Sequence, residues 1–303
     1  SPQENIARYA NQNTKTHRLL ATAKGVITFI PELKLTSTIT EDYRHIHYHR
    51  FLDPQKTSWG RNQYGEADDT NSTDQVLIWD NVLSFDKQIG KNQVNAMIGS
   101  SWTQSRYDWA GIYGSHFADG TIQTLNAANK IDPGSTSTSA SEWAIMSAFA
   151  RLSYNYDSRY LISANFRADG SSKLAPGHRW GFFPSVSAAW RISGEQFMQD
   201  VQWIDDLKLR GGWGQTGNQA GLGDYAYLER YNINRQNWWE TGKENAVPTY
   251  SQSSLRSTDL TWETTSQGNV GFDWTMLKSR LTVNFDWYYK KTTNMLMWVS
   301  LPA

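Results

Sequence analysis

His45, His47 and His49 stand at alternate positions in the run YRHIHYHR, in a chain that has six histidines and no cysteine. On an extended strand the three imidazoles would share one face, as a histidine metal site could require. Their spacing works against that chemistry. Same-face neighbours on a strand lie about 6.5–7 Å apart, whereas a zinc ion holds its nitrogen ligands at about 2.1 Å. The plainer role is a partly polar strand end, and continuing the phase of Leu33, Leu35 and Ile39 puts these histidines on the outer face of that strand. Residues 211–218, GGWGQTGN, have the glycine density of a phosphate cradle, but they lack the lysine of a P-loop and open no evident helix. Glycine there more simply serves strand curvature or close backbone approach. Two pairs of carboxylates, Asp68-Asp69 and Asp205-Asp206, are adjacent in sequence. Adjacency does not place an acid and a base on either side of a substrate, so solvated turns are expected for both. No nucleophile-elbow sequence accompanies a histidine and an acid, and the chain is expected not to be an enzyme.

The run Asn237-Trp238-Trp239-Glu240 offers a different chemistry. Indole faces stack on sugars or pack against apolar groups while neighbouring amides supply hydrogen bonds. Trp238, Trp239, Tyr227 and Tyr231 are therefore candidate substrate-binding residues, with Tyr225 and Tyr250 in the same long segment. Packing of one loop on another, or on a partner protein, is the alternative use of these rings.

Side chains of this kind act only where a scaffold holds them, and the scaffold is legible in a period of two. Leu281, Val283, Phe285, Trp287 and Tyr289 alternate without a break against Thr282, Asn284, Asp286, Tyr288 and Lys290. Such a run is a β-strand with one oily and one wet face, about ten residues long, which is the reach of a tilted strand crossing a bilayer. The pattern returns in Val270, Phe272 and Trp274 against Asn269, Gly271 and Asp273, in Tyr160, Ile162, Ala164 and Phe166 against Ser163, Asn165, Arg167 and Asp169, and in Phe182, Val186, Ala188 and Trp190 against Ser185, Ser187 and Arg191. About ten strands are expected, near 16–30, 33–50, 74–87, 92–109, 143–157, 159–170, 179–193, 206–216, 259–275 and 280–296.

Connections between them alternate in length. Tight turns are expected at Ile30-Pro31-Glu32, Gln88-Ile89-Gly90-Lys91, Asp157-Ser158 and Met276-Leu277-Lys278. Long loops are expected near 51–73, 110–142 and 217–258, with a shorter one near 170–178 and a small helical turn near 194–205. Short connections at one rim and long ones at the other describe an up-and-down membrane barrel. Tyr154, Tyr156, Tyr160, Trp190, Trp274, Trp287 and Tyr289 lie near strand ends and suit an interfacial girdle. If Arg167, Arg191 or Lys290 faced hydrocarbon at the midplane, each would cost about 2–4 kcal/mol, so the polar rows are expected to line a hydrated lumen. A soluble β-sandwich would bury the same apolar rows internally, and alternation alone does not distinguish the two.

Composition bounds the partners. Lys and Arg number 29, Asp and Glu 29, so no basic surplus points to nucleic acid. Mean hydropathy is -0.63 and no run approaches eighteen apolar residues, so no membrane helix is expected, whereas a barrel exposes only alternate residues to lipid. The chain begins at Ser1 without a charged and apolar leader, so a mature or truncated piece is expected. No cofactor and no metal site is indicated.

From residue 167 the chain reads RADGSSKLAPGHRWGFFPSVSAAWRISGEQF, followed in order by LKLRGGWGQTGN at 207–218, LTWETT at 260–265, QGNVGFD at 267–273 and YYKKTTNML at 288–296. Together these resemble the SusC/RagA family of TonB-linked outer-membrane transporters. The resemblance covers the chain from about residue 143 onward, more weakly before; Leu174 and Ala175 stand where the family usually has Phe and Gly. It implies a barrel of about 22 strands of which 1–303 would be an internal wall portion, all-β and antiparallel, with the plug and the last strands not evident. It further implies location in a bacterial outer membrane, uptake of oligosaccharides or peptides, a SusD-like surface lipoprotein over the mouth, and contact with the TonB complex through a plug region. A surface carbohydrate-binding module and a passive porin are the other functions considered.

Overall fold

The computed structural model describes residues 9–234 and 249–297. Its strands, in chain order, are β1 (Ala10–Ile30), β2 (Leu33–Leu52), β3 (Glu66–Ile89), β4 (Asn92–Ser115), β5 (Lys130–Ile131), β6 (Ser137–Tyr156), β7 (Tyr160–Ser171), β8 (Trp180–Arg191), β9 (Ile204–Asn218), β10 (Arg230–Asn234), β11 (Thr249–Ser254), β12 (Glu263–Met276) and β13 (Leu281–Thr293). Among the described residues β1, β2, β3, β4, β6, β7, β8, β9, β12 and β13 form one antiparallel meander in that order, with β5 added to the end of β4. β10 and β11 form a separate hairpin.

Register makes the alternation collective. In the β12/β13 pair Trp274 faces Val283, Phe272 faces Phe285 and Val270 faces Trp287. The same row continues through Leu209 and Trp213 of β9, Val186 and Trp190 of β8, Ile162 and Phe166 of β7, and Leu152 of β6 to Ile98 and Trp102 of β4. It ends through Trp79 and Leu83 of β3 and Ile39 and Leu35 of β2 at Ala23 and Ile27 of β1. A one-residue slip anywhere would throw a whole strand's apolar set to the wrong side.

Among the described residues no second sheet covers this row. Ile98, Leu152, Phe182, Val270 and Trp287 are all more than half exposed, and the buried clusters lie at the rims. Phe51, Ala67 and Phe117 pack together under the loops at one rim, and Leu174, Phe183 and Trp262 under others. In a soluble sandwich a second sheet would bury the apolar row. The hollow of the sheet instead lies on the polar side, a concavity of about 730 Å3 lined by Asn95, Arg151, Ser163, Ser187, Arg210 and Asn269 among others.

Several strands outrun the sequence expectation. β1 starts at Ala10, β3 at Glu66 and β6 at Ser137, and β4 continues to Ser115. Near the long-loop rim both faces carry polar or small residues, as in Asp68-Asp69-Thr70-Asn71-Ser72-Thr73, so the period of two disappears while backbone pairing goes on. A strand of 24 residues is about 80 Å long and needs only about ten residues to cross hydrocarbon. The rest exceeds the length that a bilayer crossing would take up.

The predicted long loops shrink in consequence. Within the first sits helix α1 (Ser58–Gln63), capped by the Thr57 side chain accepting from Gly60 N. The turn expected near 194–205 holds one 3-10 turn, Gln196–Met198, and a second, Ile192–Gly194, leads into it. At the short-turn rim Gly90 takes a left-handed φ of 57° that closes the two-residue link between β3 and β4.

Candidate functional site

The inward face carries arginines paired with carboxylates, most of them across strands. Arg18 of β1 stands opposite Arg44, so its guanidinium reaches diagonally to Asp42, with Nε–Oδ1 at 2.8 Å and Nη2–Oδ2 at 2.6 Å. Arg44 pairs with Asp74, and Arg50 with Asp68 and Glu66. On β7 Arg167 donates to both oxygens of Asp169 at 2.8 Å and to Ser147 at 3.0 Å.

Arg210 of β9 goes furthest. Its Nη1 and Nη2 lie 2.5 and 2.7 Å from Asp286 of β13, two strands away, while Nε donates to Asp273 of β12 at 3.2 Å. The crossing is open because the residue between them is Gly271, opposite Arg210 on one side and Asp286 on the other. A Cβ there would meet Asp286 Oδ1 at 2.6 Å and Phe285 O at 2.5 Å. No local motif announces this arrangement, since its members come from three strands and meet only through register.

Above the inward face the connections after β7, β9 and β11 pack into a rim. Leu174, Phe183 and Trp262 form its apolar centre, joined by Leu222 and Leu260. The Trp262 indole N–H donates to Arg179 O at 2.8 Å, and its ring meets Phe183 edge-on at 5.5 Å. Lys173 Nζ bridges to Asp224 at 3.0 Å and lies 5.1 Å from the Trp143 ring centre.

The predicted substrate residues fall into three places. Tyr227 is in this rim, its ring 5.9 Å from the Arg179 guanidinium and its carbonyl accepting from Ser257 N. Tyr231 lies on the separate β10/β11 hairpin, exposed, its hydroxyl donating to Glu229 at 2.6 Å. Trp238 and Trp239 lie outside the described residues. Tyr225 accepts from Glu142 N at 3.2 Å and so ties the rim to β6. Tyr107, Trp109 and Trp143, which the sequence reading passed over, face inward on β4 and β6.

Other candidates resolve into structure. Residues 211–218 lie in β9, within the wall. The outward phase places His45, His47 and His49 beside His17, Lys15 and Asn13 of β1. His47 Nε2 and His49 Nδ1 approach the Asp69 carboxylate at 3.1 and 3.2 Å, and His45 Nδ1 approaches the Thr73 hydroxyl at 3.3 Å. Asp68-Asp69 is not a solvated turn: both sit in β3, Asp68 inward against Arg50 and Asp69 outward against these histidines. Asp206 pairs with Arg191 at 2.7 Å, and Asp205 accepts from Ser279 N.

Residues 2–303 match the family described as TonB dependent receptor-like, beta-barrel. The chain belongs to this family. It is 31% identical over 275 residues to the TonB-dependent receptor SusC of Bacteroides thetaiotaomicron, covering 91% of this chain and 27% of that protein. It is also 31% identical to TonB-dependent receptor P39 of Formosa agariphila, over 91% of this chain and 26% of the relative. The fold superposes on the RagAB peptide transporter with a TM-score of 0.85 at 24% identity, over 98% of this chain and 32% of that one. The chain thus spans about a quarter to a third of the length of these relatives. Its relatives are receptors and transporters, and its outward apolar row and inward charged wall are the two faces of a membrane β-barrel.

Proposed function

We propose that the chain is a section of the barrel wall of a SusC-type importer in a bacterial outer membrane, taking up oligosaccharides, or peptides as the second cargo class. The observation that carries this reading is the two-faced register. Among the described residues one apolar row runs across ten strands, backed by an inward face on which Arg18, Arg44, Arg50, Arg167 and Arg210 pair with carboxylates amid hydroxyls, amides and some aromatic and aliphatic side chains. The edge strands of the described meander, β1 and β13, are where further wall would join, because an unpaired strand edge in hydrocarbon leaves backbone groups unsatisfied. The long-loop rim is then the extracellular mouth, where a SusD-like lipoprotein would cap the substrate, and the short-turn rim faces the periplasm.

The wall supplies passage and selectivity. Energy would come from TonB acting on a plug held inside the barrel. Uptake of labelled oligosaccharide by cells carrying the full-length protein should stop when TonB is deleted or the proton gradient is dissipated. A flux indifferent to both would mark a passive porin and refute the proposal.

A further inference from the structure

Between the charge ladder of the first three strands and the rim at residues 219–229, the upper inward wall carries three large aromatic rings on a bed of hydroxyls. Tyr107 lies opposite Ser141, Trp109 opposite Ser72 and Ser139, and Trp143 opposite Ser105. The six-membered ring of Trp109 covers Gly111. A side chain at that glycine would meet Trp109 Cη2 at 2.5 Å and Cζ2 at 2.6 Å, so the glycine gives the indole its seat against the wall. Tyr107 is 38% exposed although it lies in the middle of a 24-residue strand. The formal charges bordering this panel are already committed: Asp74 to Arg44, and Lys173 to Asp224.

We propose that Tyr107, Trp109 and Trp143 form a docking platform for a neutral oligosaccharide, which rests on the importer reading and names its cargo class. A pyranose ring presents a face of C–H bonds that packs on the electron-rich face of an aromatic ring, while hydroxyls at its edge need donors and acceptors beside that ring. Inward Ser72, Ser139 and Ser141 supply them. An oligopeptide brings an ammonium and a carboxylate instead, and each would be desolvated here without an uncommitted counter-charge. The panel therefore selects against free peptide termini.

The test uses the full-length transporter with its lipoprotein partner. Neutral glucan and mannan hexasaccharides and a mixture of unmodified tetrapeptides are titrated against wild type, Trp109→Leu and Tyr107→Ala, with assembly checked by the heat-dependent gel shift of folded barrels. Wild type should bind a neutral hexasaccharide, and each variant should bind it about tenfold more weakly, a loss of about 1.4 kcal/mol. Trp109→Phe, which keeps a ring over Gly111, should recover most of the loss and stands in if Trp109→Leu does not assemble. Equal hexasaccharide binding by assembled wild type and Trp109→Leu would overturn the platform, as would binding of tetrapeptides alone. Either result leaves TonB-dependent uptake intact, so the failure is separable from failure of the importer reading.

Discussion

Gly271 shows how a residue without a side chain can hold a charge network together. With the Arg210 guanidinium spanning it to reach Asp286, Gly271→Ala would push a methyl into the Asp286 carboxylate and the Phe285 carbonyl. We expect a destabilisation of about 1–3 kcal/mol, as for an overpacked core, read as a lower unfolding temperature of the detergent-solubilised barrel, with Gly268→Ala, in more open surroundings, as the milder control. At the short-turn rim Glu195 accepts from Tyr160 Oη at 2.6 Å, Trp190 Nε1 at 3.1 Å and Arg159 Nη1 at 3.0 Å. These donors, the Tyr160 hydroxyl first, hold its carboxyl below the ordinary glutamate value. A depressed folded pKa gives stability that is complete above the unfolded value, about 4.3, and is lost as pH falls through the folded one. Glu195→Gln, which resembles the protonated acid at every pH, should therefore lower the unfolding temperature at neutral pH and flatten the acid limb, so that the two profiles converge in acid; an unaltered acid limb would contradict the assignment. Neither network is visible along the sequence, because both depend on which strands become neighbours.

Strands were legible wherever one face met an apolar medium, and illegible where neither did. The alternations at 160–166, 182–190, 270–274 and 281–289 correspond to β7, β8, β12 and β13 with their faces correctly assigned. The polar upper parts of β3 and β6 carry no such contrast and read as loop, although hydrogen bonding between strands continues through them. Trp238 and Trp239 illustrate the same limit for the site: composition suggested contact with a ligand, while Tyr107 and Trp109, spaced by the same period as the wall itself, drew no notice. Facing also governs tolerance to charge. Val270→Arg, on the outward row of β12, should cost about 2–4 kcal/mol and reduce the membrane-assembled fraction, whereas Asn269→Arg, one residue away and inward, should assemble normally. At the rim, Trp262→Ala removes a nearly buried indole and its bond to Arg179 O. A loss of about 3–5 kcal/mol is expected there, detected as earlier protease cleavage of residues 171–179 and 219–229 in an otherwise folded barrel.

Taken together, the ten-strand meander is a sheet with two solvents. Charges total 29 of each sign, yet within the apolar stretch of the wall most lie on the concave side, with Glu41 of β2, which accepts from Gln75, an outward exception, so a chain of low mean hydropathy still offers hydrocarbon a broad surface. In the importer proposed above, substrate, plug and lipoprotein would all meet the other surface. The absence of cysteine makes this partition directly measurable. Single cysteines at Phe272, Phe285 and Trp287, and at Asn269, Asp273 and Asp286, are introduced into the full-length protein in intact outer membranes and exposed in parallel to a membrane-impermeant maleimide and a bilayer-confined one. The first three positions should react only with the bilayer-confined reagent and the second three only with the water-soluble one. The opposite assignment, or equal labelling of both sets by the water-soluble reagent, would contradict a wall that stands between lipid and lumen.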